Sequence, residues 1–246
     1  MARLPPIVPA RRLGLIVPGA NPAVEPELRA LLPAALGLHA TRLPLFPGQD
    51  LRYRMERYAG EYAGCIRSFG ELPLDAVLVG VTGPSYAFTP AADRELAARL
   101  SAEAGRPVLL ASLAIRDALA ALGCRRMLLF SPYADWQTDQ AVAYYTACGL
   151  ELAGVHRVSR EFVAYDLTPA DVEAALRRLA PPGDVAVVIS GTGAPTVEAL
   201  AAVAEELPGP VLSSTTCAAF AALRQLGLPA TEVFRAAAPR LAALLR

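Results

Sequence analysis

Asp75-Ala-Val-Leu-Val-Gly-Val-Thr82-Gly83-Pro84-Ser85 is a short apolar run that opens on an acid and closes in a glycine-containing turn. Asp184-Val-Ala-Val-Val-Ile-Ser190-Gly191-Thr192-Gly193 repeats that design later in the chain. Neither run alternates in hydrophobicity, which is the pattern of strands covered on both faces. A second echo pairs Arg12-Leu-Gly-Leu-Ile-Val-Pro18 with Arg126-Met-Leu-Leu-Phe-Ser-Pro132. Working outward, strands are expected at 13–17, 76–81, 108–111, 127–130, 185–189 and 211–212. Ala/Leu/Arg-rich segments of helical period lie between them, at 26–32, 52–69, 90–103, 114–122, 136–148, 169–179, 196–206 and 217–226. Alternation of this kind predicts an α/β fold with parallel sheets. The internal repeat divides it into two pseudo-symmetric lobes, each a parallel sheet flanked by helices. Lobe 1 is expected over 1–112 together with 217–246, and lobe 2 over 113–216. The ligand cleft then falls between them, beyond the carboxyl ends of the strands.

Composition narrows the chemistry. The 246 residues carry 23 basic and 23 acidic side chains, and every basic one is Arg. Without Lys there is no Schiff-base lysine and no P-loop lysine. The 2 His, His39 and His156, stand far apart without metal-ligand spacing, so no metal site is expected. Balanced charge argues against a nucleic-acid partner. No apolar run approaches the roughly 18 residues of a membrane helix, and no secretory signal is visible. Cys65, Cys124, Cys148 and Cys217 are irregularly spaced and read as reduced thiols. A cytoplasmic protein is expected, its oligomeric state left open.

Polar or glycine-rich loops follow the predicted strands: Pro18 to Asn21, Gly83-Pro84-Ser85, Ser131-Pro-Tyr133 and Ser190 to Gly193. Ser213-Ser214-Thr-Thr216 opens the helix near Cys217. Backbone N–H groups at strand-to-helix turns attract anions, because the first helical donors lack intrahelical partners. The hydroxyls of Ser85, Thr192 and Tyr133 would add donors for a small carboxylate. Each loop also reads as an ordinary helix cap, and it is their convergence at one sheet edge that favours a site. Gly191-Thr-Gly193 lacks the third glycine of a dinucleotide fingerprint. Tyr53, Tyr58 and Tyr62, near helical spacing with Arg52, Arg54 and Arg57, read either as an amphipathic helix or as a lid with an Arg for a carboxylate. Glu25, Glu27 and Asp135 read as helix-start charges.

Taken together, these motifs resemble the aspartate/glutamate racemase superfamily, in its maleate isomerase and arylmalonate decarboxylase branch. Leu13-Gly-Leu-Ile-Val-Pro-Gly-Ala-Asn21 resembles that branch's opening strand and substrate loop. Gly83-Pro-Ser-Tyr86-Ala-Phe88 is similar to the decarboxylases' Gly-Thr-Ser-Leu-Ser-Phe segment, and Ser131-Pro-Tyr133 to the branch's tyrosine loop. Ile189 through Leu200 and Pro210 through Arg224 resemble the second-lobe loops. The resemblance implies a cofactor-independent enzyme acting on a small carboxylate or dicarboxylate. It implies substrate contacts from Asn21, Gly83, Pro84, Tyr86, Gly191, Gly193 and Ser214. Racemases and isomerases of the superfamily place one Cys from each lobe at the substrate carbon, and the decarboxylases keep only the second. Here Gly83 and Gly191 occupy both positions. That gap disfavours two-base racemisation and thiol addition, and leaves a decarboxylase-like lyase as first reading. Isomerisation by another route and a non-catalytic carboxylate binder stay open. Catalytic roles are expected of Tyr133, Ser85 and Thr192; Cys217 reads first as a buried packing thiol, and as a further proton donor only if its helix N-terminus lowers the thiol's pKa.

Overall fold

The computed structural model describes residues 7–245. In chain order the elements are β1 (Arg11–Val17), α1 (Val24–Leu31), β2 (Leu36–Arg42), α2 (Leu51–Arg67), β3 (Ala76–Val79), a 3-10 turn (Gly83–Ala87), α3 (Pro90–Ala104), β4 (Val108–Leu110) and α4 (Ala111–Ala121). The second half continues with β5 (Arg126–Ser131), α5 (Asp135–Ala147), β6 (Glu151–Arg157), α6 (Pro169–Arg178), β7 (Val185–Ile189), α7 (Val197–Val203), β8 (Val211–Ser213) and α8 (Ser214–Leu226). Two short helices close the chain, α9 (Glu232–Ala237) and α10 (Pro239–Ala242).

The strands form two four-stranded parallel sheets, ordered β2-β1-β3-β4 and β6-β5-β7-β8. The order is the same in both, so the repeat read from the sequence corresponds to β1 with β5 and β3 with β7. The acid that opens each repeat has a matching task. Asp75 accepts from Arg11 Nε at 2.7 Å and from the Arg12 N–H at 2.7 Å, and Asp184 pairs with Arg126 Nη1 at 2.5 Å. Each acid ties its inner strand to the head of the central one. These are exposed pairs and contribute little to stability.

All of β3 and β7 is buried, as their unbroken hydrophobicity requires. The outer strands β2 and β6 were not evident in the sequence pattern. Residues along β6 alternate between exposed and half-buried, and Leu36-Gly-Leu-His-Ala-Thr-Arg42 is interrupted by Gly and polar groups. An exposed edge strand needs little apolar surface and leaves a weak mark, whereas the opposite edges β4 and β8 are largely buried and stay apolar. Helix α8 begins three residues before its expected start, because Ser213 caps it in a box with Thr216. It lies beside α4 and touches β3, β4 and α1, while α9 touches both α7 and α1. Ile115, Leu119, Phe220 and Leu223 are buried in this seam, each worth about 1.5–3 kcal/mol relative to exposure. No helix among the described residues is long and apolar enough to cross a membrane.

Candidate active site

Parallel strands send all their carboxyl ends to one edge, and the loops leaving β1, β3, β5 and β7 meet there. Asn21 Nδ2 donates to Thr192 Oγ1 at 3.2 Å, and Thr192 Oγ1 donates to the Gly80 carbonyl at 2.8 Å. The Thr82 and Tyr133 hydroxyls are 3.0 Å apart. Tyr86 Oη bonds Ser190 Oγ across the cleft and lies 3.0 Å from Tyr145 Oη. The Gly191 N–H donates to Ser214 Oγ at 2.8 Å. Asn21, Gly83, Pro84, Tyr86, Tyr133, Gly191, Thr192 and Gly193, on loops and turns, and Ser214, at the start of α8, thus stand along one buried seam between the sheets. Within it, the N–H groups of Gly83, Thr192 and Gly193 have no acceptor among the described residues.

The glycines show what fills the seam. A Cβ on Gly83 would collide with Gln137 Nε2 and lie 2.6 Å from Met55 Sδ. One on Gly191 would lie 2.9 Å from Tyr133 Oη and 3.0 Å from its Cζ. Gly191 also has φ +109°, where an L side chain is strained. A Cβ on Gly193 would meet the Tyr165 ring. Polar side chains therefore stand over both positions where the sequence lacks a thiol.

Several expectations change here. Ser85 was expected to offer its hydroxyl to a ligand, but that hydroxyl donates to Asp93 at 2.9 Å, and its N–H goes to the Thr82 carbonyl. Asp93 is fully buried and also accepts from Ser112 at 2.7 Å and Tyr144 at 2.8 Å. The Thr192 proton is likewise taken, by the Gly80 carbonyl. Asn21 Oδ1 caps α1 through the Ala23 and Val24 N–H groups. Cys217 is packed in the hydrophobic core, the first of its two readings, and burial pushes its thiol pKa up, which removes it as a proton donor. Glu27 stands in the first turn of α1, as read from the sequence, but it is buried and also accepts from the Thr196 and Val197 N–H groups, the latter at 2.7 Å, so it joins α1 to the start of α7. Burial raises its carboxyl pKa, against the lowering effect of those hydrogen bonds. Burial likewise holds the Tyr133 phenol well above its ordinary range.

Helix α2 covers the seam from one side. Tyr58 and Tyr62 are buried, Met55 reaches Gly83, and the Arg52 guanidinium lies 4.7 Å over the Trp136 ring of α5. Arg54 is half-buried and makes no ion pair among the described residues. Sequence reasoning missed Asp93, Met55, Tyr165 and above all Gln137, in the first turn of α5. Its position one helical turn after Tyr133 was the available signal. A pocket of about 330 Å³, lined by Pro22, Glu27, Tyr165 and Pro195 among others, adjoins the seam. Among the described residues no three His, Cys, Asp or Glu side chains are grouped to hold a metal ion.

Comparison with known proteins matches this architecture. A maleate isomerase from Nocardia farcinica is 30% identical over 234 residues, covering 89% of this chain and 91% of the relative. The crystal structure of a Nocardia farcinica maleate cis-trans isomerase variant, with a covalently bound succinylcysteine intermediate, superposes with TM-score 0.81 at 24% identity, over 95% of this chain and 98% of that one. A liganded arylmalonate decarboxylase variant superposes with TM-score 0.79 at 23% identity, over 92% and 98%. The family model described as arylmalonate decarboxylase matches residues 13–238, and the chain belongs to that family.

Proposed function

We infer that this chain, like the isomerases and decarboxylases it is similar to, acts on a small carboxylate. We propose that this member is a cofactor-independent lyase that decarboxylates a malonate-type dicarboxylate through an enediolate, with Tyr133 as proton donor. One observation carries the reading: Tyr133 Oη stands 2.9 Å from the ideal Cβ of residue 191, the region a thiol there would fill. A phenol held protonated by burial retains its proton until a strongly basic carbon develops beside it.

The balance is simple. The C–C bond to one carboxylate breaks, CO₂ leaves, and the electron pair delocalises into the remaining carboxylate as an enediolate. The Tyr133 O–H bond then breaks toward the α-carbon. Thr82, 3.0 Å away, can donate to the phenolate until water restores its proton. The unpaired N–H groups of Gly83, Thr192 and Gly193 suit the charge that builds on oxygen; a single such donor is worth about 3–4 kcal/mol. Half-buried Arg54 is available for the second carboxylate. Met55 and Phe162, whose ring stacks on Tyr133 at 6.0 Å, supply the apolar surroundings that favour loss of CO₂.

An isomerisation through a thiol adduct, as in the Nocardia structure, finds no nucleophile at Gly83 or Gly191, and Cys217 is enclosed in the core. An isomerase would need another route. The internally bonded hydroxyls favour a second reading, carboxylate binding without turnover. The test incubates the protein with malonates, maleate and amino-acid enantiomers in D₂O under NMR. Deuterated monoacid supports the lyase, changed double-bond geometry of maleate the isomerase, deuterium at an unreleased α-carbon the racemase, and binding alone the carrier. In Tyr133→Phe, turnover should fall by roughly 10²–10⁴-fold; unchanged turnover removes Tyr133 from the mechanism.

A further inference from the structure

Gln137 is fully buried, and neither its Nε2 nor its Oε1 has a hydrogen-bond partner among the described residues. An amide enclosed in this way costs stability unless something bonds to it. Gln137 lies on the first turn of α5, and its Nε2 overlaps the space that a Cβ on Gly83 would need. It is thus the counterpart of Tyr133: one stands over Gly83, the other over Gly191. The two come from one short stretch of chain, four residues apart, and face the seam from the two glycine positions.

The amide's chemistry selects the ligand. Nε2 donates, so it suits a carboxylate oxygen. Oε1 only accepts, and a fully ionised dicarboxylate with an alkyl or aryl substituent has nothing to give it. Such a ligand leaves the carbonyl end of the amide an unpaired buried acceptor. A ligand with an O–H or N–H on the reacting carbon, beside its carboxylate, satisfies both ends at once. Resting on the lyase reading above, we infer that the substrate is a malonate whose α-carbon bears a hydrogen-bond donor, a hydroxyl or an amine, and that Gln137 is the residue that selects it.

Hydroxymalonate and methylmalonate test this, because they differ by a hydroxyl in place of a methyl of similar size. Affinity is read by calorimetry and turnover by CO₂ release, for the unmodified protein and for Gln137→Met, which keeps length and removes both polar atoms. The unmodified protein should favour hydroxymalonate by roughly 10- to 100-fold, the effect of leaving a buried acceptor unpaired. The ratio should fall to within about threefold in Gln137→Met, and cooperative unfolding shows whether that variant is folded. Equal affinity for the two acids in the unmodified protein overturns the inference, whatever the variant does. So does a preserved ratio in a folded Gln137→Met, or a crystal structure in which one water bridges both amide atoms beside the bound acid. The two readings fail separately: selective binding without CO₂ release removes the lyase and leaves the selectivity. Equal turnover of both acids removes the selectivity and leaves the lyase. If neither acid binds, both fall.

Discussion

Gly191→Ala adds one methyl group at the point where the backbone and Tyr133 approach most closely. Two costs follow from the geometry. At φ +109° an L side chain is strained by about 1–3 kcal/mol. The new Cβ also lies 2.9 Å from Tyr133 Oη and 3.0 Å from Cζ, so the ring must retreat by some tenths of an ångström. Tyr133 is held by its 3.0 Å hydrogen bond to Thr82 and by the Phe162 and Tyr86 rings; losing that bond adds about 1 kcal/mol. The expected destabilisation is about 2–4 kcal/mol. Gly105→Ala is the control. Gly105 ends α3 at φ +63° with nothing within 4 Å of its missing Cβ, so only the left-handed backbone penalty of about 1–2 kcal/mol applies. Urea unfolding of both variants reads the difference, and each kcal/mol should move Tm by roughly 2–4 °C at this chain length. Turnover by Gly191→Ala should also fall at least about tenfold, since a donor displaced by a fraction of an ångström loses its alignment. Equal losses of stability in the two variants would falsify the argument that Tyr133 is wedged over this glycine.

Glu27 and Asp93 make the other tests. Because the folded Glu27 carboxyl titrates above its ordinary value of 4.5, the native state still holds a proton that the unfolded chain has released. Its contribution to stability therefore falls as pH rises from about 4.5 through the raised value, then levels. Glu27→Gln preserves the acceptor for the Thr196 and Val197 N–H groups, so it should flatten that part of the pH–stability curve; denaturation midpoints that keep the wild-type slope refute the assignment. Asp93→Ala strands the hydroxyls of Ser85, Ser112 and Tyr144 in the interior. Ser85 and Ser112 can bond each other at 2.8 Å, so a loss of about 2–4 kcal/mol is expected. A loss below about 1 kcal/mol by urea titration means that the cluster is not held by this carboxylate.

The two-sheet plan was legible because strands buried on both faces must be continuously apolar. Asp75 to Ser85 and Asp184 to Gly193 carry that signature twice. Edge strands β2 and β6 escaped for the complementary reason, since one open side lets polar residues alternate freely. The site's loops were legible as places, but the direction of each hydrogen bond was not. Whether the Ser85 proton is free depends on Asp93, eight residues away on a different element, and Glu27 looked like a first-turn charge until its partners at 196 and 197 arrived from the other half of the chain. Gln137 carried no signal beyond its place four residues after Tyr133. Its significance comes only from having no partner once the fold has closed around it.

The bonds that hold the seam shut have a consequence for how the protein meets its solvent. Asn21 to Thr192, Thr192 to Gly80, Thr82 to Tyr133 and Tyr86 to Ser190 join neutral groups, and the two carboxylates that also cross, Glu27 to Val197 and Asp93 to Tyr144, are buried. The ion pairs found among the described residues all lie within one half of the chain or the other, from Arg11–Asp75 in the first to Arg177–Glu206 in the second. Dissolved salt screens exposed charges over about 10 Å at 0.1 M, but it has little hold on a buried hydroxyl bonded to a carbonyl. Ionic strength can loosen the outer surface of each half without loosening the joint between them.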